Sequence, residues 1–254
     1  METQITLATT TSTQDSGLLD ELLPAFEKKY KTQVKVLAVG SGQAFEIGKK
    51  GDADVLLVHA RADEDKFVQE GWGVNRRDVM HNQFLLVGPA ADPAQVKSSS
   101  DIFRALKAIA GKKAAFISRG DNSGTHKKEL KLWQDAGITP AGTWYLEAGQ
   151  GMGDTLMMAS EKEAYTLTDE ATYLTMKEKL KLVIVREGDK ALLNKYGVMA
   201  VNPKKYPKIH INGAMAFVSF VTSEEGQKLI YDFGRAKYGK PLFIPDAINP
   251  QKLE

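Results

Sequence analysis

The feature of this sequence that most constrains its fold is a regular alternation of short apolar runs and amphipathic helical patterns. Residues 5–8 form the first apolar run, and residues 18–26 then place leucine or phenylalanine on one helical face. A short apolar run predicts a buried strand, whereas apolar residues every three to four positions predict a helix that packs on one side. Because this alternation continues along the chain with short connections, we predict an α/β fold with mostly parallel sheets flanked by helices.

Two similar segments divide the pattern. Residues 83–89 and 196–203 are both apolar strand patterns that end in a turn with proline, and a second set of strands and helices lies between them. We therefore predict one lobe made of residues 1–87 and 202–254, an inserted lobe of residues 88–201, and two hinge strands that join them. A chain of 254 residues with 43% hydrophobic content is large enough for two lobes. A single wound sheet with a long middle segment is the alternative.

Composition and motifs exclude several classes of function. The 34 basic and 32 acidic residues contain no basic block, so we expect no binding to nucleic acid. The absence of cysteine excludes disulfides, thiolate metal sites and cysteine nucleophiles. The sequence has neither a nucleophile-elbow motif nor a phosphate-binding loop of the Gly-Lys-Ser/Thr type, and its histidines lack metal-ligand spacing. We predict no enzymatic activity, no cofactor and no resident metal ion.

The start of the chain bears on localisation. The segment Met1-Glu2-Thr3-Gln4 leads directly into a strand pattern, and no apolar run approaches the roughly 20 residues of a membrane span. We therefore expect no signal peptide in this sequence. Either the protein is cytoplasmic or Met1 replaces a removed leader. The predicted ligand chemistry favours the second explanation, which implies a periplasmic or extracytoplasmic protein.

Four predicted strand-to-helix junctions contain loops rich in hydroxyl groups or glycine. These loops are residues 8–13 (ATTTST), 39–43 (VGSGQ), 119–125 (RGDNSGT) and 149–154 (GQGMGD). Ligands of open α/β sheets bind outside the carboxyl ends of strands, and the free N–H groups of a helix N-terminus attract anions. With two loops in each predicted lobe, closure would bring their donors around one small anion. Each loop also has a structural explanation, since Asn122 or Ser123 can cap a helix and glycines form ordinary turns.

The third loop contains the only charge among these donors that does not titrate, which is Arg119. Asp121 would orient the guanidinium and partly neutralise it, or it caps the next helix. His59 follows a strand of the first lobe, where it either faces the cleft or has a structural role.

With these loops in place, the sequence resembles a known family. Residues 9–19 (TTTSTQDSGLL) closely resemble the tungstate-binding component of bacterial ABC transporters, which is a type II periplasmic solute-binding protein. The similarity extends through Gly40-Ser41-Gly42 and residues 119–125, and the latter motif also resembles phosphate-binding proteins. The resemblance implies a two-lobed fold that closes on a tetrahedral oxyanion and delivers it to membrane permease subunits. The residues that match ligand contacts are Thr9, Thr10, Ser41, Arg119, Ser123, Gly124 and Thr125.

Details within that resemblance remain open. Among residues 9–12, Thr10 is the first choice for a contact with the anion. Phosphate-binding proteins usually have an aspartate after the third strand of the first lobe, where this sequence has His59. An anion that is fully deprotonated, such as tungstate or molybdate, offers no proton for a carboxylate to accept, so the exchange favours a deprotonated dianion. The resemblance itself implies tungstate, with molybdate second. Sulfate meets the same criterion, and only the size of the cavity would exclude it.

We expect a monomer whose hinge lies near Val87-Gly88 and Val201-Asn202. Within the receptor class, phosphate is the alternative ligand. An enzyme on the same scaffold, similar to porphobilinogen deaminase, would need an attached cofactor or an acid–base pair in the cleft. The ligand-sensing domain of a transcription regulator would need a basic helix-turn-helix module, and none is seen in the sequence.

Overall fold

The computed structural model describes residues 3–253, so the predicted start at Met1 and Glu2 lies outside the described residues. The strands are β1 (Gln4–Thr10), β2 (Gln33–Val39), β3 (Val55–Val58), β4 (Gly73–Pro89), β5 (Phe116–Ser118), β6 (Tyr145–Glu147), β7 (Thr166–Asp169), β8 (Leu182–Arg186), β9 (Leu193–Val201) and β10 (Ile244–Pro245). The helices are α1 (Thr11–Asp15), α2 (Leu18–Tyr30), α3 (Ser41–Lys49), α4 (Arg61–Gln69), α5 (Ile102–Lys112), α6 (Gly124–Asp135), α7 (Met152–Glu161), α8 (Glu170–Met176), α9 (Ile211–Val221), α10 (Glu224–Asp232) and α11 (Arg235–Tyr238).

Contacts within the chain define two compact units. Unit 1 contains the chain up to Asn82 and from Lys195 onward, and unit 2 is Gln83–Asn194. Both divisions fall earlier in the chain than the positions expected from sequence, which were after residues 87 and 201. The reason is packing: residues 84–87 of β4 pair with β7 in unit 2, and residues 197–200 of β9 pair with β3 in unit 1.

Unit 1 is built on a sheet whose strands follow the order β2, β1, β3, β9, β4 and β10. Strand β1 runs parallel to β2 and β3, whereas β9 runs antiparallel to β3 and β10 runs antiparallel to β4. One apolar cluster packs Ala44 and Phe45 of α3 against Leu56 and Val58 of β3, with Met199 of β9. The continuous apolar run of β3 predicts a strand that is buried on both sides, and all four of its residues are buried.

Unit 2 pairs β4 antiparallel with β7 and β8, and pairs β5 parallel with β6. Successive residues of β4 point to opposite faces, as the two-residue period of a strand requires. Phe84 and Leu86 therefore join an apolar cluster with Trp133 of α6, whereas Leu85 and Val87 join a cluster with helix α7. These two clusters place helices on both faces of the sheet.

The structure confirms the predicted α/β fold, but the sheets are mixed rather than mostly parallel. The antiparallel pairings involve the long strands β4 and β9, which the sequence identified as hinge strands without giving their direction. Three short helices also went unpredicted. Helix α1 begins within the threonine-rich loop, α8 follows β7 directly, and α11 has only four residues. No helix among residues 3–253 is both long enough and apolar enough to cross a membrane.

Candidate functional site

Three loops of unit 1 emerge at one edge of its sheet. In the parallel pairs, Thr10 lies opposite Val39 and Thr9 lies opposite Leu57, so β1, β2 and β3 end at the same level. The segments that follow these strands begin with α1, with Gly40-Ser41 and with His59, respectively. The structure therefore groups the two predicted loops of unit 1 and adds His59 to them.

The two candidate threonines of the first loop have different roles in the structure. The Thr9 hydroxyl donates to the carbonyl of Leu57 at 2.7 Å, and Thr9 is fully buried. Thr10 is the N-cap residue of α1 and accepts a hydrogen bond from the Thr13 N–H. Its Oγ1 also lies 2.7 Å from the Thr13 hydroxyl and 3.1 Å from His59 Nε2. A hydroxyl proton that is already donated within the sheet is not available to a ligand, so this geometry favours Thr10 over Thr9.

Ser41 is the first residue of α3 and follows Gly40, which is the N-cap residue. Ser41 is fully buried, and its hydroxyl has no hydrogen-bond partner in the part of the chain that the structure describes. The N–H groups of the first helical turn lie beside this hydroxyl, and they have no partners within the helix. The position combines a buried donor with the positive end of a helix dipole.

Two loops of unit 2 lie together in the same way. Ser118 of β5 is opposite Glu147 of β6, so the two parallel strands end side by side. The Gly149 N–H donates to the carbonyl of Arg119 at 3.0 Å, and the Ala148 N–H donates to that of Ser118 at 2.8 Å. The fourth predicted loop thus supports the backbone of the third.

Arg119 is nearly buried, with 8% of its surface exposed. Its Nε lies 2.8 Å from Asp121 Oδ2, which confirms the predicted pairing of the two side chains. The Nε–H is not directed at this carboxylate, however, and it has no hydrogen-bond acceptor among the described residues. The guanidinium is therefore partly neutralised while one of its donors remains unpaired.

The rest of this loop forms the start of α6. Ser123 is the N-cap residue, and its hydroxyl accepts from the His126 N–H, as the capping explanation predicts. Gly124 and the buried Thr125 open the helix. His126 Nδ1 in turn accepts from the backbone N–H of Asn122 at 3.0 Å, which places the proton of the neutral ring on Nε2. This Nε2–H is buried and has no acceptor in the described part of the chain.

The sequence did not predict a role for Glu129, a buried carboxylate that contacts the start of the third loop. Glu129 of α6 accepts hydrogen bonds from the Ser118 hydroxyl at 2.7 Å, the Tyr145 hydroxyl at 2.7 Å and the Trp133 indole at 3.0 Å. Burial raises the pKa of Glu129 to about 7, although these bonds and one from the Arg119 backbone N–H act in the opposite direction. Its position one helical turn before Trp133 gave no signal, because a glutamate inside a helix is ordinarily exposed.

Asp169 was also missed. It ends β7 and caps α8, accepting from both the N–H and the hydroxyl of Thr172. Burial raises its pKa, and among the opposing effects is the positive charge of Arg119. Asp169 therefore lies within electrostatic range of the guanidinium. A polar residue directly after a buried strand was the only sequence signal.

The buried polar atoms that lack a partner identify the chemistry that these loops suit. Among residues 3–253 they are Ser41 Oγ, Arg119 Nε, His126 Nε2 and Thr166 Oγ1. Three of the four belong to the predicted loops or the helix turn beside them, and all three have a proton to donate. Buried donors in native proteins are almost always paired, so these atoms are suited to a ligand that supplies acceptors, such as an oxyanion. The described residues include no group of three or more histidine or acidic residues that could hold a metal ion.

The fold of the two units and their donor-rich loops are those of a solute-binding protein. A family model described as a PBP superfamily domain matches residues 2–225, and the chain belongs to this superfamily. The chain is 56% identical to a tungstate-binding protein from Peptoclostridium acidaminophilum, over 96% of its own length and 86% of that protein.

Solved structures are also similar to the chain. It shares 55% identity and a TM-score of 0.82 with the tungstate ABC transporter structure from Geobacter sulfurreducens, covering 91% of this chain and 98% of the other. It shares 44% identity and a TM-score of 0.86 with a tungstate-binding protein from Desulfovibrio alaskensis G20, covering 96% and 99%. These relatives are binding proteins and components of transporters, in agreement with the prediction that the chain is not an enzyme.

Proposed function

We propose that this protein is the solute-binding component of an ABC transporter and that it binds tungstate. In this role it captures the anion outside the cytoplasmic membrane, in the periplasm or its equivalent, and delivers it to membrane permease subunits. It acts as a monomer, binds no nucleic acid and performs no reaction. Molybdate is the second ligand by chemical similarity.

The observation on which this proposal rests is the group of buried, unpaired donors at the predicted loops. Ser41 and Arg119 are among the residues predicted from sequence. The Ser41 hydroxyl has no acceptor in the described structure, and the Arg119 Nε–H makes no hydrogen bond there although Nε lies 2.8 Å from Asp121 Oδ2. Leaving a buried donor unpaired costs about 1–3 kcal/mol, so a native protein retains such donors where a ligand uses them. The names of the relatives at 44–56% identity add support, since they bind tungstate.

The proposed ligand contacts come from both units. From unit 1 they are Thr10 and Ser41, with Thr9 fixing the end of β1 because its hydroxyl proton is donated to Leu57. From unit 2 they are Arg119, Ser123, Gly124 and Thr125, with Asp121 holding the guanidinium. Hydroxyls, backbone N–H groups and one partly neutralised charge stabilise a dianion while still allowing its release.

Calorimetric titration with tungstate, molybdate, sulfate and phosphate in one buffer tests the ligand. We expect tungstate to bind most tightly. Binding of phosphate alone would show that the ligand is phosphate and not tungstate, and the protein would still be a solute receptor. Binding of none of the four would contradict the proposed function.

The substitution Arg119→Ala tests the site in the same titration. We expect tungstate affinity to fall by about 100-fold, because one desolvated, charge-assisted donor is removed. Arg104→Ala is the matched control, since the Arg104 side chain is 75% exposed on α5 and its variant should bind as the wild type does. Equal affinities for the Arg119→Ala variant and the wild type would show that the site lies elsewhere.

A further inference from the structure

His59 is held firmly beside the hydroxyl groups of unit 1. Its ring stacks on Tyr196 of β9, with ring centroids 4.8 Å apart and planes inclined by 28°. Tyr196 is 2% exposed, so the surface on which His59 stacks is itself fixed by the core. A histidine in such a stack has a defined position for both of its ring nitrogens.

The backbone after His59 is fixed as well. The Ala60 N–H donates to Glu64 Oε1 at 3.1 Å, and the other oxygen of Glu64 accepts from Arg76 Nε at 3.0 Å and Nη2 at 2.8 Å. The Glu64 side chain is fully buried and the Arg76 side chain is 11% exposed. Breaking a buried pair of this kind typically costs several kcal/mol, so the end of β3 is rigid.

From this position Nε2 contacts two hydroxyls at once. It lies 3.1 Å from Thr10 Oγ1 and 3.2 Å from Ser12 Oγ, and these two oxygens are 3.1 Å apart. Thr10 Oγ1 additionally accepts from the Thr13 N–H and lies 2.7 Å from the Thr13 hydroxyl. The imidazole nitrogen is therefore part of a closed cluster of hydroxyl groups.

The proton on Nε2 determines what this cluster can offer to a ligand. A hydroxyl has one proton and two lone pairs. Where Nε2 donates, Thr10 Oγ1 accepts from Nε2–H and the Thr13 N–H, and the Thr10 proton stays available to a neighbouring hydroxyl or to a ligand. Where Nε2 accepts, the hydroxyl of Thr10 or Ser12 donates its hydrogen bond to Nε2, and the cluster has one donor fewer for a ligand.

We propose that His59 is a positioning residue, whose Nε2–H donates to the Thr10 and Ser12 hydroxyls and keeps them as donors toward the bound oxyanion. This inference rests on the proposed function, in which Thr10 contacts the anion. A cluster polarised in this way presents hydroxyl protons to the ligand in place of a carboxylate acceptor. It therefore favours an anion without protons over one that is protonated at neutral pH, such as hydrogen phosphate.

Two substitutions of His59 separate its aromatic packing from its hydrogen bonding. His59→Phe retains the ring that stacks on Tyr196 and removes the nitrogen, whereas His59→Gln retains an N–H donor and removes the ring. By titration with sodium tungstate we expect about 10-fold weaker binding for His59→Phe, as for the loss of one hydrogen bond, and affinity within about threefold of the wild type for His59→Gln. Thermal unfolding should show that His59→Phe is folded. Wild-type affinity for His59→Phe would overturn the inference.

A double-mutant cycle with Ser12→Ala tests the mechanism rather than the position. If Nε2 acts through the hydroxyls, the loss in His59→Phe combined with Ser12→Ala should be clearly smaller than the product of the two single losses. Independent losses would contradict a positioning role. A wild-type protein that binds no tungstate would contradict the proposed function, whereas tight wild-type binding with an unaffected His59→Phe variant contradicts only this inference.

Discussion

Glu129 Oε2 accepts the hydroxyl proton of Ser118 at 2.7 Å, and this bond joins the interior of α6 to the last residue of β5. Arg119 follows Ser118, and its backbone N–H also donates to Glu129. The loop that begins at Arg119 is thus fixed to the core at the point where it leaves the sheet. A carboxylate in this position makes the stability of the loop depend on pH.

The pH dependence has a defined sign. Burial raises the pKa of Glu129 from 4.5 to about 7, so the unfolded chain ionises first as the pH rises. Any stability due to protonated Glu129 is fully present below pH 4.5, and it is lost as the pH rises from 4.5 to about 7. We expect the wild type to lose on the order of 3 kcal/mol more than Glu129→Gln across this range, measured by urea unfolding. The control Glu161→Gln changes an exposed residue of α7, the next helix in the chain, and its stability should change with pH as the wild type's does. The same pH dependence in Glu129→Gln would contradict the prediction.

Removing the Ser41 hydroxyl should separate stability from binding. Because this buried hydroxyl has no partner in the described structure, we expect the free energy of unfolding of Ser41→Ala to equal that of the wild type or to exceed it by up to about 1 kcal/mol. Thermal unfolding measures this difference. Tungstate affinity should fall by about 10-fold. The matched control is Thr166→Val, which removes another unpaired buried hydroxyl and should leave affinity unchanged. Ser41→Ala with full affinity would remove Ser41 from the site.

We expect His126 both to cap α6 and to donate to the ligand. Nδ1 accepts the Asn122 N–H at the start of α6, and the side-chain amide of glutamine can both accept and donate. We expect His126→Gln to retain the melting temperature and to bind tungstate within about threefold of the wild type. His126→Ala should lose about 1 kcal/mol of stability, measured by urea unfolding, and bind tungstate about 10-fold more weakly. Unchanged affinity in His126→Ala would mean that His126 serves only as a cap.

Gly120 is required by both its backbone and its surroundings. Its φ is +67°, and a Cβ at this position would lie 2.8 Å from the Cβ of Glu147. We expect Gly120→Ala to destabilise the protein by roughly 2 kcal/mol or more and to weaken tungstate binding, since Arg119 is adjacent. Gly188→Ala is the control, because Gly188 has a φ of +79° and open space around it. Urea unfolding gives the free energy of unfolding of both variants, and the difference between their losses is the steric contribution of Glu147. Equal losses of stability would show that Glu147 moves away and adds no steric cost.

The sequence predicted most of the strands and helices because their apolar periodicity reports local burial. The α2 helix, for example, runs from Leu18 to Tyr30 as its leucine spacing indicated. The direction of β4 and β9 was not predictable, since pairing depends on residues far apart in the chain. The hydroxyl-rich loops could be recognised from the sequence, whereas the position of Asp169 near Arg119 could not. Its relation to Arg119 arises only from the folded chain.

The indole of Trp133 donates to Glu129 Oε1 at 3.0 Å, while the other oxygen of that carboxylate is bonded to Ser118. A chromophore is therefore connected through two hydrogen bonds to the residue that precedes Arg119. Because the emission of an indole responds to the electric field at its nitrogen, arrival of a dianion at this loop should alter the intrinsic fluorescence of the protein. The chain contains its own optical reporter of occupancy, and no label has to be attached.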